Sequence, residues 1–355
     1  MNIYKANILY TENKDCFEVI ENGYIAVSEG VVQGVYQQLP KHLQGVKVTD
    51  FGDSLLIPAM NDMHVHAPQY RNQGLAMDME LLPWLNNYTF PEEGKYADIV
   101  YAERMYRRFI RDLWRVGTMR SVVFATIHYE ATKLLINLFC QAGMGALVGK
   151  VDMDRNSPSY LTESVTKAKA DNELLIREFN IPNSLVRPII TPRFIPSCTP
   201  QMLKMLGELA QEHCMPVQSH LSENLSEIQT VRELEAESRH YGDAYNRYHL
   251  FGETPTIMAH CVWTEGEEIE MMKQNGVMVA HCPTSNFNLS SGMAQIRTFL
   301  DNNIAVGLGS DISAGHELSI FRLMVYAIQT SKMHYCKDKS KRFLSSSEAF
   351  WIATK

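Results

Sequence analysis

The fold is decided by one ten-residue stretch, Ile57-Pro58-Ala59-Met60-Asn61-Asp62-Met63-His64-Val65-His66. An apolar run begins it, and two histidines separated by one residue end it. Side chains two positions apart on a strand point to the same side, so His64 and His66 can bind the same metal ion. The stretch therefore predicts a buried strand with a metal site at its carboxyl end.

Seven further apolar runs follow, separated by segments with helical spacing. The eight predicted strands are Leu55 to Met63, Ser121 to Ile127, Met144 to Val151, Val186 to Thr191, Met215 to Ser219, Thr256 to Ala259, Val277 to Ala280 and Ile304 to Gly309. The predicted helices include 98–115, 160–179, 202–214, 265–275 and 318–331. Eight such units predict an α/β fold, a (β/α)8 TIM-like barrel. A doubly wound sheet is the alternative, but the chain has neither a G-x-G-x-x-G after the first strand nor a P-loop motif.

A small β unit precedes the barrel. Residues 3–36 have strand patterns, and Ser28-Glu29-Gly30 predicts a short hairpin turn between Asn22–Val27 and Val31–Tyr36. We therefore predict two domains, a small β domain at 1–56 and the barrel at 57–355.

Composition limits the partners. The chain has 355 residues, 33 Lys+Arg and 40 Asp+Glu, a net charge of −7, which argues against a nucleic-acid groove or an anionic membrane surface. The most apolar stretch, 134–149, is interrupted by polar residues and glycines, and residues 1–17 lack the apolar core of a secretory signal. Seven scattered cysteines form no C-x-x-C pair. These features predict a cytoplasmic protein with a small-molecule partner and no membrane contact.

Chemically active side chains end the predicted strands. After the first strand come His64 and His66, and later strands end in Arg193, His220, His260, His281 and Asp311. The carboxyl ends of barrel strands converge on one face, where active sites are built. The predicted metal ligands are His64, His66, His220 and Asp311.

Three imidazoles and one carboxylate suit Zn²⁺ or Fe²⁺ with one position open for water. Such an ion lowers the pKa of bound water to about 7 and supplies hydroxide at neutral pH. Glu223 follows His220 by three residues, so we predict that it lies beside this water as general acid and base. One strand-end histidine alone would more often be a core residue; the combined set favours a metal site.

These residues resemble the amidohydrolase superfamily, whose mark is the same H-x-H after a Pro-Gly-φ-φ-Asp segment, with Ala59 here in place of the glycine. No lysine ends the fourth strand, so the carbamylated lysine of two-metal members has no counterpart and one divalent metal is implied. The segments 220–223, 280–286 and 309–311 resemble the mononuclear aminohydrolase branch. Segments 64–70, 82–92, 149–154 and 191–194 resemble the members that deaminate guanine.

The resemblance implies roles for the residues at the carboxyl ends of the barrel strands. Guanine would be held by Gln69, Arg193, Phe194, Trp84 and His260, and Glu223 would move protons while His260 and Asp311 orient the attacking water. The products would be xanthine and ammonia. Judged by residue type alone, Phe194 fits a core position as well as a surface on which the purine ring stacks, and Trp84 fits a core position better. His281 fits a position that supports the residues in contact with the metal or substrate.

The resemblance also implies a small β-sandwich formed partly by the N-terminal segment, and a homodimer. Its C-terminal partner strands are not found before Lys355, so we expect that either the chain is truncated or the small domain is reduced. Two alternatives to guanine hydrolysis stay open. One is the same chemistry on another ring, such as 8-oxoguanine, a pterin or a triazine. The other is a non-catalytic metal-binding scaffold, against which Glu223 argues.

Overall fold

A computed structural model describes residues 1–75 and 77–355. The chain divides into two compact units, one formed by Met1–Ala59 with Ser345–Lys355 and the other by Met60–Leu344. The first division lies close to the predicted boundary after residue 56. The final residues, which the sequence analysis assigns to the barrel, group instead with the N-terminal strands. Among the described residues, no helix has the length and apolar character needed to cross a membrane.

The first unit is built on a mixed sheet. Its strands are β1 (Asn2–Tyr10), β2 (Glu18–Ser28), β3 (Val31–Tyr36) and β4 (Val48–Leu56). Within the described chain their order is β3-β2-β1-β4, with β1 antiparallel to β2 and parallel to β4. The predicted hairpin between β2 and β3 is confirmed. Glu29 and Gly30 both have positive φ, 50° and 78°, the backbone of a tight turn that matches the twist of its strands.

One strand assignment from sequence is wrong. Leu55 pairs with Asn7 and Leu56 with Ile8, so both belong to β4 and not to the first barrel strand. Pro58, which has no backbone N–H to donate, lies two residues after the last residue of β4. A proline is tolerated at a strand end rather than inside a ladder. The first barrel strand therefore begins at Met60.

A helix at the chain's end completes the first unit. Ser345 caps its N-terminus, accepting from the backbone N–H of Glu348, while the Glu348 side chain accepts from the backbone of Ser345. Ser347 donates to the carbonyl of Asp15 at 3.2 Å. Phe350 meets Phe17 edge to face, with ring centroids 5.6 Å apart. These contacts attach residues 346–354 to the loop between β1 and β2.

The second unit alternates strands and helices. Its strands are β5 (Met60–His66), β6 (Thr118–Phe124), β7 (Gly145–Gly149), β8 (Val151–Asp152), β9 (Val186–Pro188), β10 (Thr191–Pro192), β11 (Val217–Leu221), β12 (Thr256–His260), β13 (Met278–His281) and β14 (Val306–Leu308). Its helices are α1 (Leu81–Trp84), α2 (Phe90–Glu93), α3 (Ile99–Arg115), α4 (Tyr129–Ala142), α5 (Val165–Phe179), α6 (Pro200–Glu212), α7 (Leu225–Leu234), α8 (Tyr241–Asn246), α9 (Glu267–Asn275), α10 (Pro283–Asn288), α11 (Ile296–Asp301) and α12 (Ile320–Lys337); the helix of the first unit is α13 (Ser346–Thr354). A π-helical turn, Leu85–Thr89, joins α1 to α2.

The strands form parallel sheets, ordered β5-β6-β7-β9 and β11-β12-β13-β14 in the described residues, with β8 and β10 paired beside them. Each predicted barrel strand overlaps an observed one. Hydrogen bonds cross both gaps between the sheets. The backbone N–H of Gln218 donates to the backbone carbonyl oxygen of Ile190, and the backbone N–H of Asp311 donates to the backbone carbonyl oxygen of His64. The result is an α/β fold of the TIM-barrel type.

Helix α3 shows why the outer layer forms. Asp98 caps its N-terminus by accepting from Val100 and Tyr101. Its buried residues recur at three and four, among them Tyr106, Phe109 and Leu113, and they pack with β6, β7 and α4 residues in one apolar core. Of the other predicted helices, the one expected from residue 160 begins at Val165 because Ser164 caps it; 159–161 form a separate 3-10 turn.

A buried ion network lies beneath β7 and β8. Lys150 is fully buried, and its Nζ donates to Asp152 Oδ1 at 2.7 Å and to Glu163. Asn172 donates to both carboxylate oxygens of Asp152. Burial opposes the charge of Lys150, but the two carboxylates hold its pKa above the ordinary value.

Replacing Lys150 with alanine should destabilise the fold by about 3–5 kcal/mol, because Asp152 and Glu163 would stay buried without their cation. Lys133→Ala is the control, since that lysine pairs with Glu178 at the surface and should change stability by about 0–1 kcal/mol. Urea unfolding followed by circular dichroism measures both. Equal free energies of unfolding for the two variants would contradict the buried-network argument.

Candidate metal-dependent active site

The predicted metal ligands meet at one point. His64 and His66 leave β5 on the same side, His220 lies in β11, and Asp311 follows β14. Asp311 Oδ1 lies 3.2 Å from His64 Nε2 and 3.4 Å from His66 Nε2, while His66 Nε2 lies 3.1 Å from His220 Nε2. His260 Nε2 lies 3.8 Å from Asp311 Oδ2. All five side chains are buried or nearly so.

This donor set fits a divalent metal. Tetrahedral donors at bonds of about 2.0–2.2 Å lie about 3.4 Å apart, close to the separations observed. The Nδ1 of His220 faces the carbonyl oxygen of Arg193 at 2.7 Å, which fixes the proton on Nδ1 and leaves Nε2 as a lone-pair donor. The buried Nε2 of His64 makes no well-formed hydrogen bond in the described residues. Two overlapping groups, His64 with His220 and His260 and His64 with His66 and Asp311, have ligand atoms within 4.8 Å.

The charges favour the same conclusion. Burial lowers the pKa of His64, His66 and His220, so these imidazoles are neutral, the form that can bind a metal. Burial opposes the charge of Asp311, yet His64 and His260 hold its pKa at about 2. One anion among neutral imidazoles, all shielded from water, is an arrangement that a bound cation would compensate.

The backbone is shaped to bring the ligands together. His260 and Asp311 have φ of 72° and 46°, in the left-handed region that non-glycine residues seldom adopt. Position 309 has room only for glycine beside β5. A Cβ on Gly309 would lie 2.9 Å from His64 Cβ and 2.8 Å from Cys282 Sγ. A larger residue at 309 would push β5 away from the segment that carries Asp311.

Asp62 connects the two ligand segments. Its Oδ1 accepts from the backbone N–H of Ser310 at 2.9 Å and of His64 at 3.3 Å, and its Oδ2 accepts from Ser310 Oγ at 2.5 Å. Burial raises the pKa of Asp62 to about 7. The sequence analysis assigned no role to this residue, although it lies inside the opening stretch.

Asp62→Ala should weaken metal binding by about 10–100-fold, the range for residues that hold ligands in place. A chelator competition titration measures the metal Kd, and activity at saturating metal should largely return. Asp53→Ala, at an exposed position of the first unit, is the control. An unchanged metal Kd in Asp62→Ala would show that the ligands hold their positions without this carboxylate.

Glu223 and His260 lie above the ligands. Glu223 Oε2 lies 3.5 Å from His260 Nε2, and Ser291 donates to Glu223 Oε1 at 3.1 Å. His260 Nδ1 donates to Asn286 Oδ1 at 2.9 Å. Burial raises the pKa of Glu223 to about 7. Burial lowers the pKa of His260, but the carboxylates of Glu223 and Asp311 raise it above its ordinary value.

One cavity contains these groups and the predicted substrate residues. Its lining includes His66, Gln69, Trp84, Arg193, Phe194, His220, Glu223, His260 and Asp311. Trp84 and Phe194 are also members of an apolar cluster with Leu81, Leu85 and Phe90, so each both packs and lines the cavity. His281 lies below, buried, and neither of its ring nitrogens has a hydrogen-bond partner in the part of the chain that the structure describes.

Glu93 was missed by the sequence analysis. This buried residue of α2 accepts from Gln69 Nε2 at 2.8 Å and from Arg193 Nη1 at 2.7 Å. The guanidinium of Arg193 also lies over the ring of Phe90, 5.2 Å from its centroid. Glu93 directly follows the segment 82–92, whose last residue, Glu92, is also a glutamate, and the sequence offers no signal to choose between them. Asn286 lies in the segment 280–286, but no role was predicted for it or for Ser291.

The comparisons with known proteins agree with this geometry. The model of the amidohydrolase family matches residues 55–355. The chain belongs to the amidohydrolase family. Within the family it groups with the guanine deaminases. That of Dictyostelium discoideum is 38% identical over 372 residues, 100% of this chain and 82% of that protein. The probable guanine deaminase of Schizosaccharomyces pombe is 40% identical over 305 residues, 84% of this chain and 58% of that protein.

Solved amidohydrolases share the fold. The crystal structure of guanine deaminase from C. acetobutylicum with guanine bound in its active site has a TM-score of 0.98 and 48% identity, covering 99% of this chain and 84% of that one. A triazine hydrolase from Arthrobacter has a TM-score of 0.84 at 15% identity, covering 100% of this chain and 83% of that one. At that identity the likeness shows the fold alone.

Proposed function

We propose that this protein hydrolyses guanine to xanthine and ammonia. One observation carries the proposal: three of the four predicted metal ligands (His66, His220 and Asp311) and Glu223 line the same cavity as Gln69 and Arg193. A proton carrier and polar groups suited to a purine therefore face the same space. The guanine deaminases among its relatives support the assignment.

His64, His66, His220 and Asp311 would hold one divalent ion, and their nitrogen and oxygen donors suit Zn²⁺ best, with Fe²⁺ or Mn²⁺ as alternatives. When bound, such an ion supplies a water-derived nucleophile at neutral pH, with a pKa near about 7. Burial keeps the imidazoles neutral, and His64 and His260 keep the Asp311 carboxylate charged despite its burial. The four groups are therefore already in the protonation states that bind a metal.

Glu223 moves the protons. The attacking water supplies two protons. The Glu223 carboxyl group passes one to the ring nitrogen beside C2 of guanine and later delivers the other to the departing amine, which leaves as ammonia. Ser291 holds one carboxylate oxygen, and the other faces His260. His260, oriented by Asn286, lies between Glu223 and Asp311, where it can hold the attacking water toward the ring.

The opposite wall binds the purine. Gln69 and Arg193 contact its polar edge, and Phe194 and Trp84 contact the ring. A bound purine would exclude water from a site that is already enclosed, which strengthens these hydrogen bonds.

The direct test incubates the metal-loaded protein with guanine and follows xanthine and ammonia by mass and absorbance. We expect rapid conversion of guanine and slow or no conversion of 8-oxoguanine, a pterin, a triazine, adenine and cytosine. Faster turnover of another of these rings would keep the chemistry and replace the substrate. One metal per chain without any turnover would favour the scaffold hypothesis.

We also infer a closed eight-stranded barrel and a sandwich that includes β1–β4. The hydrogen bonds across both gaps between the parallel sheets support the barrel. The homodimer and the cytoplasmic location stay predictions, and size-exclusion chromatography with light scattering tests the first.

A further inference from the structure

The two carboxylate oxygens of Glu93 accept hydrogen bonds from two different residues that line the cavity. Its Oε1 accepts from Gln69 Nε2 and its Oε2 from Arg193 Nη1, and all three side chains are at least 97% buried. Hydrogen bonds of this kind, shielded from water and made to a charged group, are among the strong ones. Glu93 itself does not line the cavity, so it acts on a ligand through the other two.

The Glu93 carboxylate fixes the orientation of the Gln69 amide. Turning the amide over would place its carbonyl oxygen against a carboxylate oxygen, two acceptors with no proton between them. Gln69 therefore presents its Oε1 away from Glu93. That oxygen is buried and receives no hydrogen bond from any residue that the structure describes. A buried acceptor without a donor is costly unless a ligand provides one.

Arg193 is fixed in the complementary role. One of its nitrogens is committed to Glu93 and its plane lies over Phe90, but a guanidinium carries five N–H donors and no acceptor. Gln69 and Arg193 together therefore offer a ligand one acceptor, Gln69 Oε1, beside the N–H donors of Arg193.

We propose that Glu93 is the positioning residue that selects the lactam edge of a purine, in which N1–H donates and the C6 carbonyl accepts. The proposal rests on the proposed function and adds the basis of its selectivity. N1–H would donate to Gln69 and the carbonyl would accept from Arg193. A purine with an amino group at C6 presents the reverse pattern, an acceptor at N1 and a donor at C6, and meets two mismatches.

The test compares guanine with 2,6-diaminopurine, which carries the same 2-amino group but an amino group at C6. Loss of the 2-amino group gives xanthine from guanine and isoguanine from 2,6-diaminopurine, and chromatography separates these products. The parent protein should favour guanine in kcat/KM by about 10⁴-fold, as expected for a site built to pair with polar groups of its substrate.

Glu93→Gln should lower this selectivity by at least about 10²-fold, because its amide donates to Gln69 and allows Gln69 to turn its NH₂ toward the cavity. The metal content should not change. Glu92→Gln is the matched control: Glu92 is the neighbouring buried carboxylate, but it binds Lys95 and Tyr101, and its loss should leave the selectivity within about threefold of the parent.

Glu93→Asp is the second variant, should the glutamine variant fail to fold. Its shorter side chain keeps the charge but withdraws the carboxylate from both partners, so the selectivity should fall by at least about tenfold. Full parental selectivity in a folded Glu93→Gln or Glu93→Asp variant would overturn the proposal.

A binding measurement separates this proposal from the proposed function. Hypoxanthine has the lactam edge and adenine has the reverse pattern, and neither carries a 2-amino group. Calorimetry should show that Glu93→Gln raises the Kd of hypoxanthine by at least about 30-fold and removes the preference over adenine. That result in a protein that does not hydrolyse guanine would uphold the role of Glu93 and refute the activity. An unchanged preference for hypoxanthine would refute the role, whatever the activity.

Discussion

Glu223→Gln should lower kcat for guanine by about 10²–10⁴-fold, the contribution of a general acid and base. Glutamine has the same shape and can still accept from Ser291, but it neither takes nor gives a proton. Because Glu223 is not among the predicted ligands, the variant should still bind one metal per chain, and its KM should change only a few-fold.

Steady-state kinetics, with metal analysis of the same preparations, checks this expectation. Glu267→Gln is the control, since this exposed glutamate lies at the start of α9, outside the cavity. A kcat within tenfold of the parent in metal-loaded Glu223→Gln would mean that another group moves the protons. Loss of the metal in that variant would instead make Glu223 a part of the metal site.

Asp311→Ala should lose the metal and the activity together while the protein stays folded. Asp311 provides the anionic member of the set, with its Oδ1 within 3.4 Å of the Nε2 atoms of His64 and His66. Without Asp311, three neutral imidazoles remain. Loss of a group that only holds a metal ligand in place already lowers metal affinity by up to about 100-fold, so we expect loss of this ligand to lower it by at least that much. The residue follows a barrel strand and is not itself a member of the apolar clusters.

Metal content per chain, chelator competition and far-UV circular dichroism measure the three parts of this prediction. Asp301→Ala serves as control, since Asp301 pairs with Arg297 and Arg342 away from the site. An Asp311→Ala variant with full activity would refute the four-ligand set. A variant that unfolds would show that the carboxylate also stabilises the fold, and Asp311→Asn, which keeps the side-chain shape, would then separate the two effects.

The sequence identified most of the site because its members end strands. Hydrophobic runs located the strands, and every such strand in a β/α fold delivers its last residues to the same face. This reasoning brought together His64, His66, His220, Glu223, His260 and Asp311. The structure places all of them in one cluster, and every member except His64 lines the same cavity.

Some assignments failed for a local reason. Leu55 and Leu56 have the apolar character of a barrel strand, and only their pairing with Asn7 and Ile8 shows that they belong to the N-terminal sheet. A run of apolar residues predicts a strand but does not identify its partner. The assignment of the last helix to the barrel has the same origin, since its contacts are with residues some 330 positions earlier.

What the sequence determined by itself is what depends on neighbours along the chain: the strand and helix periods, the turn at Glu29-Gly30, the helix caps, and the H-x-H geometry on one strand. What only the tertiary structure decided is which distant polar groups pair. Glu93 meets Gln69 and Arg193 across 24 and 100 residues, and Asp62 meets Ser310 across 248. Backbone periodicity is local and leaves a mark on the sequence, whereas a buried carboxylate finds its donors through packing, which brings together residues with no fixed spacing.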